Sequence, residues 1–242
     1  MILPNVRASF GAGEVELLLN VFQDRIGRGR AYWEEVLARE GLDPMLDHPA
    51  LLSAVMQGPG LNAVSPLLAF YVMVRHTLRD AGLDDVEVAD YVTALLAEFA
   101  IVGRAQRIAR YDDKTYDYLV DVVSDLEEES SERRRFLLTA HLGNYSLWLS
   151  GMFPDYVVAR VHRKGAPSIH YYEDLGTTGY QLASESELAG RHDLSRIYRE
   201  VADGFSAVRR ALNRVSDRYF FPVSPSPVDR LLRQVADDSS RD

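Results

Sequence analysis

The residues best suited to chemistry fall in three clusters. His141, Asn144, Tyr145 and Trp148 recur at spacings of three, four and seven, so they share one face of a helix. An imidazole in that row could serve as acid, base or ligand, and Gly143 leaves room for a second helix or a ligand to approach. The same residues can equally form a core network in which each polar group bonds its neighbours and specifies packing. The second cluster, His170-Tyr171-Tyr172-Glu173-Asp174, follows a Gly165-Ala166-Pro167 turn. Pro167 can open a helix that sets His170 beside Glu173, where a carboxylate could hold an imidazole tautomer or share a metal. The third is Arg209, Arg210, Asn213, Arg214, Asp217 and Arg218. Arg210, Asn213, Arg214 and Asp217 share a helical face, either as an anion clamp or as exposed ion pairs of about 0.2–0.5 kcal/mol each.

Missing motifs narrow the chemistry. The chain contains no cysteine, no Glu-x-x-His and no His-Glu-x-x-His, so neither a metal nor a cofactor is expected. A Gly-x-x-x-x-Gly-Lys loop, a Gly-x-Gly-x-x-Gly turn and a Gly-x-Ser-x-Gly elbow are all lacking, which disfavours the common nucleotide-dependent and serine-hydrolase chemistries. The stretch His141-Leu142-Gly143-Asn144-Tyr145 resembles the active-site block of bacterial lipid A acyltransferases, in which His precedes Gly-Asn, an aromatic and then an acid. Ser146 stands where that acid belongs, so the carboxylate that would orient the imidazole is missing. The resemblance covers six residues of 242, and no function is carried over from it.

The elements that must position these residues read as helices. Residues 136–153 run for eighteen positions without a charge, and a helix apolar all round is buried. Elsewhere apolar residues repeat at three and four: Val15 to Phe22, Tyr32 to Leu37, Leu67 to Leu78, Val88 to Val102, and a stripe Leu119 to Leu126 in a helix starting near Lys114. Asp47 ahead of Pro49 looks like an N-cap for a helix through Gln57, with Gln57-Gly58-Pro59-Gly60 as a turn. Leu194 to about Tyr219 reads as one long helix, and a short one follows near Val228 to Val235. Only Asp155 to His162 alternates as a strand would, and it has no second strand to pair with. The expectation is therefore an all-α fold, a single compact bundle of nine to eleven helices around the central helix 136–153. One domain would cover 1–236, with a polar tail at 237–242.

Charge bounds the choice of partner. The net charge is −9, and residues 84–132 alone hold fourteen acidic against four basic side chains, so the rest of the chain is close to neutral. Without clustered Lys and Arg, nucleic acid is not an expected partner. Residues 136–153 just reach a membrane-spanning length, but His, Asn and two serines interrupt them, so a buried helix is expected rather than a span. No secretory signal is visible in the first residues, which makes the cytoplasm the expected location. The leading functional expectation is a non-enzymatic soluble helical protein that acts by partner binding or by self-assembly as a homo-oligomer. The alternative is a small-molecule-binding protein or enzyme with an interhelical pocket lined by His141, Asn144, Tyr145, His170, Glu173 and Arg210, with Trp148 and Asn213 beside them.

Overall fold

The computed structural model describes residues 1–26, 28–57 and 65–239, and every regular element among them is helical. Fourteen α-helices are present among the described residues, and no strand. The number exceeds nine to eleven because hydrophobic periodicity misses very short helices and breaks. A four-residue and a five-residue helix are too short to show a period, and Gly204 divides the late helix in two. The turn expected at Gly58-Pro59-Gly60 lies outside the described residues.

The chain divides into two compact units, Pro4–Ala94 and Met1–Leu3 with Leu95–Asp242. The first holds α1 (Ala12–Ile26), α2 (Arg30–Glu40), α3 (Asp43–Leu46), α4 (Pro49–Gln57), α5 (Pro66–Asp80) and most of α6 (Val86–Phe99). Leu18, Phe22, Leu46, Leu51, Leu68 and Tyr71 form its core. Here the N-cap expectation is corrected. The His48 Nδ1 accepts from the Ala50 N–H at 3.1 Å, while Asp47 receives both Nε and a terminal nitrogen of buried Arg75, at 2.9 and 2.8 Å. A buried guanidinium needs a bidentate carboxylate more than a helix end needs that particular cap.

The second unit holds α7 (Leu119–Glu128), α8 (Glu132–Met152), α9 (Pro154–Lys164), α10 (Ile169–Ser184), α11 (Glu187–Arg191), α12 (Ser195–Asp203), α13 (Phe205–Val215) and α14 (Pro227–Ser239). A π-helical turn, Ser216–Phe220, extends α13. The α7 helix begins at Leu119 rather than near Lys114, because the preceding residues are held in an irregular loop. Its Tyr116 is buried, and the phenol donates to Asp125 at 2.7 Å. The strand-like residues after Asp155 are helical in α9, which Pro154 opens and Gly165, in the left-handed region at φ 59°, closes.

The α8 helix is the centre of this unit, buried over nearly all of its length. It packs on α10 through glycines. A Cβ added to Gly179 would stand 2.7 Å from the Gly143 N and 2.8 Å from the Thr139 carbonyl oxygen, and one added to Gly143 would stand 2.7 Å from the Tyr180 ring. The space left open by Gly143 is thus filled by a helix. The C-terminal end of α8 leaves backbone carbonyls without intrahelical donors. Asn213 Nδ2 donates to those of Ser150 and Gly151 at 2.8 and 2.7 Å, and the Ser216 hydroxyl donates to that of Met152 at 2.7 Å. Among the described residues no helix is long and apolar enough to cross a membrane.

Candidate functional site

The eight residues singled out by sequence lie in two places. His141, Asn144, Tyr145 and Trp148 belong to the aromatic core around α8. The His141 ring sits 6.0 Å from Phe99, 6.1 Å from Tyr116 and 5.9 Å from Tyr145. Burial, reinforced by the Arg104 charge, pushes its pKa down to about 3, so the imidazole is neutral at pH 7. Its Nε2 is buried without a hydrogen-bond partner among the described residues. Asn144 accepts from the Tyr180 phenol at 2.8 Å. Tyr145 is buried, which raises its phenol to about 12, and Trp148 packs edge-on against Phe99 and Phe153. The space beside His141 and Asn144 is about 10 Å³, which is room for at most one water.

His170, Glu173, Arg210 and Asn213 lie some way off, where α9, α10, α13 and α14 meet. Their hub is Arg209. From an almost fully buried position it donates Nε to Glu173 at 2.8 Å, one terminal nitrogen to Asn213 at 2.7 Å and the other to Asp237 at 2.7 Å. Burial alone would raise Glu173, but the Arg209 charge and hydrogen bonds from Ser206, His170 and Arg209 hold its carboxyl below the usual range. The His170 Nδ1 stands 3.0 Å from Glu173 Oε2, yet its side chain is 81% exposed. A second hub, Arg233, contacts Asp217 at 2.7 and 2.8 Å, Asp155 at 3.2 Å and Asn213 at 3.4 Å. Arg230 adds bonds to Asp155 at 2.9 and 2.7 Å.

Two clefts open beside this network. One, of about 610 Å³, is lined by His170, Glu173, Arg209, Arg210 and Leu232; the other, of about 410 Å³, by Arg210, Asn213, Arg214, Arg218 and Arg233. Four of the eight residues therefore gather at open clefts, and four lie along α8, where His141, Asn144 and Tyr145 are buried. Sequence reasoning missed Arg209, Asp155, Arg230, Arg233 and Asp237 as members of the network. A signal for Arg209 existed: together with Asn213 it falls inside the apolar stripe Phe205, Val208 and Leu212, and a charge embedded in such a stripe is buried and paired. Asp237, assigned to a polar tail by sequence, is in α14, which runs to Ser239.

No group of three His, Asp or Glu side chains capable of holding a metal ion occurs among the described residues. The chain matches no protein-family model, no curated protein and no solved structure.

Proposed function

We propose that this is a non-enzymatic helical protein that acts by association, with the C-terminal helix α14 pairing with the same helix of a second copy. One observation carries the reading: α14 is inverted. Its polar residues Arg230, Arg233 and Asp237 point inward to Asp155, Asp217 and Arg209. Its apolar residues Val228, Leu231, Leu232 and Val235, spaced at three, four and seven, are between 55% and 67% exposed. An ordinary surface helix does the opposite.

A stripe at this spacing is what two helices bury against each other, and a two-fold axis lets one stripe cover its own copy. Exposed Phe221 and Val223 extend the patch toward the preceding turn. The rim favours a protein over an anionic lipid surface, since Arg230 and Arg233 are engaged inward and Asp229 is exposed. Four side chains of one helix fall short of the ~800 Å² per partner of a standard stable interface. The association is accordingly reversible and concentration-dependent.

Sedimentation velocity of the native chain and of the double variant Leu231→Glu with Leu232→Glu tests this. The native chain is expected to move from monomer to dimer as concentration rises into the micromolar range, and the variant to stay monomeric with unchanged helicity. A variant that dimerises as the native chain does would refute the role of α14.

A further inference from the structure

We propose that α14 is a releasable strap, held across the two clefts by charge pairing and set free as ionic strength rises. The strap is independent of self-association, which uses the outward face of α14, because it is held by the inward one. Of the side chains described in α14 only Arg233 is buried, while Val228, Leu231, Leu232 and Val235 are each more than half exposed. Apolar burial, which fixes most helices to their domain, therefore contributes little to docking this one. Polar residues take its place. Arg230 meets Asp155 at 2.7 Å, Arg233 meets Asp217 at 2.7 Å and Asp155 at 3.2 Å, and Gln234 donates to Asp217 at 2.9 Å. Asp237 receives Arg209 at 2.7 Å. These contacts join α14 to the start of α9, to α13 and to the π-helical turn that extends α13.

An ion pair taken out of water gives back most of its attraction as lost hydration, so such a row docks with a small net free energy. Arg233 illustrates the cost: its buried Nε–H has no acceptor among the described residues. Released, the same groups stand in water, where salt stabilises them. The screening length falls from about 10 Å at 0.1 M to about 3 Å at 1 M. The tether permits the movement. Residues 221–226 form no helix, and Pro222, Val223 and Pro225 within them are exposed. Ser224 donates to Asp155 at 2.8 Å, so tether and strap depend on one carboxylate. Arg233 and Asp237 line both clefts, and Leu232 lines the wider one. Departure of α14 removes the wall that the clefts share and bares Asp155, Asp217 and Arg209, without unfolding α13.

Hydrogen exchange followed by mass spectrometry, on the full chain in about 0.1 M and about 1 M potassium chloride, tests the strap. A freed helix of 13 residues is marginal in water, so release exposes its amides to exchange. Exchange across α14 is expected to quicken at least about threefold in high salt, while α8 and α13 stay unchanged. Arg230→Gln should quicken it about tenfold at the lower salt, through loss of charge-assisted bonds to Asp155. Dilution separates the strap from pairing, because protection by a second copy fades on dilution and protection by the ion pairs does not. Exchange in α14 that ignores salt, or that Arg230→Gln leaves unchanged, would overturn the strap. A quickening shared equally by α8 and α13 would do so too, since the whole unit would then be loosening. A salt dependence that vanishes on dilution would refute the strap and leave pairing standing.

Discussion

The aromatic core around α8 and the ion-pair network beside α13 use the same residue types in opposite ways. In the core, His141 and Asn144 are sealed among rings with about 10 Å³ to spare, and the imidazole is kept neutral. At the network, Arg209 and Arg233 are nearly as buried, yet they border clefts of about 610 and 410 Å³ and are paired with carboxylates. Burial of a polar group therefore says little about function. Whether it faces a closed wall or an open one distinguishes a packing element from a place where another molecule can act.

The largest effect should come from the core. Gly179→Ala sets a methyl group against the Gly143 and Thr139 backbone, which cannot move without separating α8 from α10. A loss of about 3 kcal/mol or more in urea unfolding is expected. Arg209→Ala comes next, because it strands Glu173 and Asp237 together. Those carboxylates keep 12% and 19% exposure, so water can recover part of the loss. About 2–3 kcal/mol is expected, below the range for a wholly buried pair.

Acid sensitivity should report the core imidazole. The folded pKa of His141 lies below the ordinary 6.5, so the unfolded chain binds the proton that the folded core refuses. Its effect on stability is absent above pH 6.5 and grows as pH falls toward about 3, at about 1.4 kcal/mol per pH unit. His76, also lowered by burial, adds in the same direction. Denaturant midpoints measured from pH 7 to pH 5, above the titration of the paired carboxylates, should fall less steeply in His141→Leu than in the native chain. The smallest stability effect belongs to the outward face of α14. Leu231→Glu should change stability by no more than about 0.5 kcal/mol, as exposed positions do. A larger loss would mean that this face is packed within the chain.

Much of the fold was legible because helical periodicity is a local signal. The charge-free run 136–153 marked the central helix, and the repeats at 67–78 and 88–102 marked two more, the second of which ends at Phe99 rather than Val102. Gly204 was overlooked because Val201, Phe205, Val208 and Leu212 keep their period across the break. The candidate site was half legible. Spacing put His141 and Asn144 on one helix face, and His170 and Glu173 on another. That Arg209 joins Glu173 to Asp237, 64 positions further along, depends on tertiary packing that no local pattern carries. The inversion of α14 was hidden for the same reason: periodicity separates Val228, Leu231 and Leu232 from Arg230 and Arg233, but not which side turns inward.

Native mass spectrometry of the gently purified chain at tens of micromolar tests the central claim most directly. A population at twice the 27.3 kDa chain mass, dissociating on dilution, is the predicted result. A single-chain mass at every concentration would contradict it.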